Sequence, residues 1–146
     1  MIVLDTNVVS EPMKPSGNAA VLSWLDAQVA ETLYLTATGL AELLVGIEIL
    51  PQGARKAGLS TSLTNLLTGL FEQRILPFDQ KAATAYAPLV AHARAAGQTI
   101  SVTDGQIAAI AAIRGFIVAT RDTAPFAAMG VPIIDPWSAT AGKARR

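Results

Sequence analysis

Four carboxylates, Asp5, Glu42, Asp104 and Asp122, lie far apart in the chain, each where the local pattern ends a strand or opens a helix. Acidic side chains brought together repel one another and are costly in a folded protein unless something neutralises them. A divalent cation with a preference for oxygen ligands does so directly, and phosphodiester hydrolysis is chemistry that such a site commonly serves. Taken singly, Asp5, Asp104 and Asp122 each read more simply as turn or cap residues that satisfy backbone N–H groups. Glu42 resists that reading: it sits on a helix beside Val45, Gly46 and Ile49 rather than in a polar run, where a carboxylate has no local structural task. Asp79, placed as a helix N-cap, and Asp135, which precedes Pro136, need no metal and serve as internal controls.

The four acids can meet only if the elements that carry them bring strand ends together. Residues 2–4 form a short apolar run that stops at Asp5, and residues 18–29 carry Ala19, Val21, Leu22 and Leu25 at helical spacing. Residues 33–36 read as the second strand, followed by a helix with the stripe Leu40, Leu43, Leu44 and Ile47 and a turn at Pro51-Gln52-Gly53. A helix over about 55–73 leads to a strand at 75–78, and Asp79 opens a helix over 80–96 that Gly97 ends. Thr103-Asp104-Gly105-Gln106 has the form of a capping box before the helix containing Ile107, Ile110 and Ala111. Residues 116–119 suit a buried parallel strand, and 131–134 a last strand. Strands separated by long helical stretches require crossovers, which predicts an α/β fold: a three-layer α/β/α sandwich around a mostly parallel sheet. In such sheets ligands bind beyond the carboxyl ends of the strands, where Asp5 and its partners stand.

With 146 residues the chain fits one domain, expected over 1–137 with a basic tail at 138–146 containing Lys143, Arg145 and Arg146. Residues of the hydrophobic class make up 51%, which points to a generous core or to apolar surface covered by a partner, hence an oligomer. There is no cysteine, which excludes a disulfide framework, thiol catalysis and Cys-ligated zinc and is compatible with a reducing cytoplasm. The first residues lack a basic segment and are interrupted by Asp5 and Asn7, so no signal peptide is read, and the apolar stretch 107–119 contains Arg114 and is too short to span a bilayer. A soluble, cytoplasmic protein is the expectation. Formal charge is zero, from 11 basic and 11 acidic side chains. Setting the four site acids aside leaves 7 acidic residues against 11 basic ones, a surplus of +4 that could hold a phosphate backbone.

The segments 1–7 (MIVLDTN), Ala41-Glu42-Leu43 with Gly46, 103–108 (TDGQIA) and Ala119-Thr120-Arg121-Asp122 resemble those of PIN-domain ribonucleases, in particular VapC toxins and, within them, the FitB-like branch. The likeness extends through 74–78 (RILPF) to Asp135-Pro136-Trp137. It implies a five-stranded sheet of order 3-2-1-4-5, a homodimer, Mg²⁺ or Mn²⁺ as cofactor, RNA as substrate, and an antitoxin partner that blocks the site and carries the DNA-binding element. By motif match Asp5, Glu42, Asp104 and Asp122 are the acidic quartet, with Asn7 and the hydroxyls of Thr6, Thr103 and Thr120 as supporting groups. Many relatives carry a further acid where Pro125 stands here, before Phe126, which puts in doubt any metal arrangement relying on a fifth carboxylate.

The mechanism inferred is metal-assisted attack of water on the phosphodiester, with one or two ions held through Asp5 and Asp104 and further supported by Glu42 and Asp122. Two side chains passing protons around a 2′-hydroxyl would be the alternative, but His92 is the one histidine and reads as a surface or packing residue. Arg121 has two open readings, a phosphate contact or a structural ion pair. The few aromatic residues read as core or interface, and the stripe Leu63, Leu66, Leu67 and Leu70 as core, dimer surface or antitoxin groove. Two other classes stay in view. A phosphotransfer-type acidic metal-binding domain would need a lysine at a later strand end, for which Lys81 and Lys143 are poorly placed, and a haloacid-type phosphatase would need an acid where Asn7 stands. A non-catalytic protein-binding module would use the apolar surplus alone.

Overall fold

Alternate residues of the central strand feed two separate cores, and this divides the molecule into three layers. In the computed structural model, which describes residues 1–139, Val3 faces one core with Val118, Ile107 and Phe126, whereas Ile2 and Leu4 face the other with Leu35, Val21 and Phe71. The period of two along a strand makes this division unavoidable once both faces are covered. The expected tail residues Lys143, Arg145 and Arg146 lie outside the described residues.

The strands are β1 (Ile2–Leu4), β2 (Leu33–Thr36), β3 (Ile75–Leu76), β4 (Ile117–Ala119) and β5 (Ile133–Ile134), in the order β3-β2-β1-β4-β5. All four pairings are parallel, as the α/β sandwich requires. Seven α-helices occur among the described residues: α1 (Thr6–Ser10), α2 (Ala19–Asp26), α3 (Ala37–Glu48), α4 (Ala54–Leu66), α5 (Gln80–Ala95), α6 (Val102–Arg114) and α7 (Thr123–Ala128). Residues of α1 to α4 pack in the core that contains Ile2 and Leu4, and residues of α5 to α7 in the one that contains Val3. The chain runs outward from β1 to β3 on one side and then from β4 to β5 on the other. The crevice between β1 and β4 is therefore the topological switch point.

Several local expectations are corrected. The cap of α6 is Ser101, whose Oγ accepts from the Asp104 N–H at 3.1 Å, rather than Thr103. The expected helix over 55–73 ends as α at Leu66 and continues as a wider turn over Leu67–Phe71, closed by Glu72 N–H donating to the Leu67 carbonyl at 2.8 Å. That turn seats Phe71, which is fully buried. Leu44 belongs to the outer surface of α3 and not to its buried stripe, being 50% exposed. The 63–70 leucines are core: Leu63 is buried, and Leu66, Leu67 and Leu70 pack against the same cluster. Asp79 caps α5 as expected, accepting from the Ala82 N–H at 3.0 Å, and His92 is exposed.

Gly105 sets how closely α6 approaches α5. A Cβ there would stand 2.6 Å from Tyr86 Cε2 and 2.9 Å from Val90 Cγ2, closer than carbon atoms tolerate. Gly105→Ala would gain helix propensity but force the two helices apart, so it is expected to lower unfolding free energy by about 1–3 kcal/mol, read from the urea midpoint. An unchanged or raised midpoint would mean that Tyr86 simply swings aside.

Candidate functional site

Asp5 is the hinge of the site because it is fixed from two strands at once. It is buried, 4% exposed, and it is the N-cap of α1: Oδ1 accepts from the Thr6 N–H at 2.8 Å. Oδ2 accepts from the Thr120 hydroxyl at 2.9 Å, across the β1–β4 pairing in which Leu4 stands opposite Ala119. Thr120 is itself fully buried, and its Oγ1 accepts from the Asp122 N–H at 3.0 Å. One hydroxyl thus connects the end of β1 to the loop that carries Asp122. The N-cap position of α7 falls on Asp122, yet its carboxylate makes no cap bond and is left for the cluster.

Glu42 and Asp104 arrive from helices that are tied together. Thr36 opens α3 by accepting from the Gly39 N–H at 2.8 Å, which places Glu42 on the second turn, half-buried. Asp104 lies in the first turn of α6, where unpaired N–H groups favour a negative charge. Across the gap the Thr38 hydroxyl donates to Gln106 Oε1 at 2.9 Å, holding α3 to α6. The Thr103 hydroxyl beside Glu42 favours its charged form.

The four acids are near enough for their charges to act on one another. Burial raises the Asp5 carboxyl above its ordinary value of 3.8, the bonds from Thr120 and Thr6 oppose this, and the charges of Glu42 and Asp122 raise it further. Asp104 is raised by burial and then by the charges of Asp5 and Asp122. Glu42 is raised by burial and by the charge of Asp104, against the opposing effect of the Thr103 hydroxyl. No cation compensates: among the described residues the one ion pair is Lys14 with Glu11, 3.0 Å apart. A set of hard oxygen donors that repel one another and lack a basic partner fits a divalent ion such as Mg²⁺ or Mn²⁺. Still, among the described residues no three acidic or histidine side chains are gathered tightly enough to share one ion as they stand. The quartet is a neighbourhood of repelling acids rather than a finished coordination shell.

Two hollows flank Glu42. One, of about 690 Å³, is lined by Thr38, Ala41, Val45, Thr103 and Gln106; the other, of about 450 Å³, by Thr6, Ser10, Lys14, Arg55 and Leu59 among others. Lys81 lines a different hollow with Gln80, Thr84 and Ile113.

Not every supporting residue acts as expected. Thr6 serves Asp5 through its backbone N–H, because Asp5 caps the helix that Thr6 begins. Asn7 Oδ1 lies 3.4 Å from the Arg121 backbone N, accepting its N–H. The guanidinium of Arg121 makes no ion pair among the described residues and lies over the Trp137 ring, 5.1 Å from its centroid. Asp135 accepts from the Trp137 N–H at 2.9 Å, a turn role consistent with leaving it out of the site. Sequence reasoning passed over Glu11, which is buried and accepts from Lys14 Nζ and from the Asn18 N–H, both at 3.0 Å. Its charged form is favoured chiefly by the Asn18 bond. Gly17 permits this closure, since a Cβ there would stand 2.5 Å from the Glu11 carbonyl oxygen. The Glu11/Lys14 spacing of i, i+3 was the available signal.

Comparison with known proteins bears on the family and the fold. A family model described as PIN domain matches residues 2–131. The chain is 49% identical over 137 residues to the protein named VapC ribonuclease Y4jK of Sinorhizobium fredii, covering 94% of this chain and 98% of that protein. It is 44% identical over 137 residues to Toxin FitB of Neisseria gonorrhoeae, covering 94% and 99%. A solved structure described as FitAB bound to an IR36 DNA fragment superposes with a TM-score of 0.90 at 41% identity, covering 97% of this chain and 99% of that one. No helix of the described residues is long and apolar enough to cross a membrane.

The raised carboxyls fix the sign of a pH effect. Groups whose folded pKa lies above the unfolded value hold protons in the folded state that the unfolded chain has already lost, so stability falls as pH rises through that interval and levels off above it. Without divalent ions, unfolding free energy should therefore decline from the ordinary carboxylate range, 3.8 for Asp and 4.5 for Glu, toward neutrality. Asp5→Asn keeps an acceptor for the Thr6 N–H while removing the charge. It should raise stability at neutral pH by on the order of 1 kcal/mol and flatten the decline, measured by urea unfolding across pH. A variant that is less stable at every pH would show that Asp5 is structural alone.

Proposed function

This chain belongs to the PIN-domain family, and on that premise we propose that it is a metal-dependent endoribonuclease, the toxin of a toxin–antitoxin pair. The observation that carries the reading is the gathering of Asp5, Glu42, Asp104 and Asp122 at the carboxyl edge of the sheet, where Asp5, Glu42 and Asp104 are raised by burial and by a neighbour's charge and none of the four has an ion pair among the described residues. Likeness to proteins named VapC ribonuclease and Toxin FitB supports the same reading.

Asp5 and Asp104 would hold one or two Mg²⁺ or Mn²⁺ ions, with Glu42 and Asp122 as further ligands or as acceptors for bound water. Such an ion, when bound, would supply Lewis acidity toward a water and toward the phosphate oxygens. The chain's own contribution is placement. Thr6 N–H and the Thr120 hydroxyl fix both Asp5 oxygens, so that carboxylate cannot turn away from the repelling neighbours. Thr120 also holds the start of the Asp122 loop, and the Thr38–Gln106 bond holds Glu42 near Asp104. A proton shuttle by paired side chains has no counterpart here, since His92 is exposed on α5 and no second histidine exists.

RNA is the substrate in this reading, and the protein works as a homodimer whose cognate antitoxin covers the site. Contact with DNA is indirect, through that antitoxin, an assignment supported by likeness to the FitAB complex bound to a DNA fragment. The exposed residues Leu44 and Val45 on α3, Ile49 at its C-cap and Val102 at the start of α6 offer apolar surface for such partners. The compartment that fits is the cytoplasm, where RNA is at hand.

Purified protein incubated with a total RNA pool and Mn²⁺ should cut at discrete sites, and chelation should stop it. Asp104→Asn should lower the rate by about 100-fold or more, while Asp79→Asn, which alters only the α5 cap, leaves cut positions and rate nearly unchanged. Mn²⁺ at ten times its Kd should stabilise the wild type by about 1.4 kcal/mol, and Asp5→Asn should lose most of that gain. Equal cleavage by wild type and Asp104→Asn would defeat the reading.

A further inference from the structure

Arg121 sits between two residues of the site, yet the quartet does not use its charge. Its predecessor Thr120 donates to Asp5, and its successor Asp122 joins the acidic cluster. Asn7 accepts from its backbone N–H, which ties this point of the chain to the start of α1. The side chain is exposed, and its guanidinium faces the Trp137 ring at 5.1 Å.

Trp137 is in turn held in place. Its N–H donates to Asp135 Oδ1 immediately after β5, and its ring packs against the core that contains Ile2 and Leu4. The indole is therefore a fixed plate rather than a mobile surface aromatic. A guanidinium lying on an aromatic face keeps its in-plane N–H donors free at the edges, and the stacking restrains a side chain that otherwise has much rotamer freedom to lose. The Glu11 carboxylate, whose charged form Arg121 favours only as the last of several causes, is already engaged by Lys14 and the Asn18 N–H. What results is a restrained cation, without an ion pair among the described residues, at the rim of an acidic site.

An acidic centre repels the polyanion that it must cut, so a fixed cation at its edge has a clear use. We propose that Arg121 binds a phosphate of single-stranded RNA next to the bond being cleaved, and that Trp137 is the positioning residue that holds it there. This rests on the ribonuclease reading and deepens it. Arg is suited to the task because its planar fork matches two phosphate oxygens, whereas Lys offers a point charge.

The test uses a labelled single-stranded RNA that the wild type is first shown to cut, with binding measured in the full-length Asp104→Asn background to prevent cleavage. Arg121→Gln should weaken binding about tenfold, the loss of one charge-assisted contact. It should also reduce the slope of log K against log salt by about 0.7, the release of one phosphate counterion. Arg121→Lys should keep the slope but recover affinity only in part. Trp137→Leu should weaken binding with the slope nearly intact, and Trp137→Phe, which retains a ring, should restore it. In the active protein the Arg121 and Trp137 changes should raise KM more than they lower kcat. Should Trp137→Leu fail to fold, the exposed Arg121 variants still decide. If Arg121→Gln binds with wild-type affinity, salt slope and KM, the proposal is overturned while the ribonuclease reading stands. If the wild type neither binds nor cuts any RNA, that reading falls and this inference with it.

Discussion

The hydrogen bond from the Thr120 hydroxyl to Asp5 is the contact on which the site depends. It joins residues 115 positions apart at the one place where the sheet changes direction, and both partners are buried. Asp5 could relieve its repulsion from Glu42 and Asp122 by turning toward solvent. Two donors, one on each oxygen, prevent that. The fold thus holds an unfavourable arrangement of charge in place, a stability cost of the kind met where a site is built for a ligand rather than for the apo protein.

The surrounding architecture follows from that requirement. Parallel pairing sets Leu4 opposite Ala119, so the next residues on each strand, Asp5 and Thr120, leave the sheet side by side. Helices starting at these same edges contribute the other acids, and their first turns supply backbone N–H groups that temper the negative charge. Close packing at Gly105 and the Thr38–Gln106 bond then fix how α6 sits against α5 and α3. Errors of an ångström in either would move Asp104 relative to Glu42. Positions far from the acids by sequence therefore have a share in their geometry.

Much of this was legible in the sequence because the signals are local. The apolar run ending at Asp5 and the β-branched run before Thr120 mark strands, and Asp79 announces a cap; the motif resemblance supplied the strand order. Nonlocal or degenerate features were not. Ser101 and Thr103 are both hydroxyl residues placed three before a plausible partner, and only the helix itself shows that Ser101 is the cap. Residues 55–73 carry one continuous helical pattern, and the burial of Phe71, a tertiary demand, is what widens the last turn. Leu44 fits the apolar stripe by spacing but falls outside the buried arc of α3. Trp137 reads from sequence as one more core or interface aromatic, since nothing local links it to Arg121 sixteen positions earlier. The quartet itself was readable as four chemical possibilities. Their convergence needed the sheet register, and their use as metal ligands is the proposal built upon it.

Anomalous diffraction from crystals soaked in manganese tests that central claim most directly. The account predicts a peak about 2.0–2.2 Å from carboxylate oxygens of Asp5 and Asp104, with Glu42 and Asp122 drawn toward it or toward its water. A map with manganese bound only elsewhere, and the four acids as far apart as before, would contradict it.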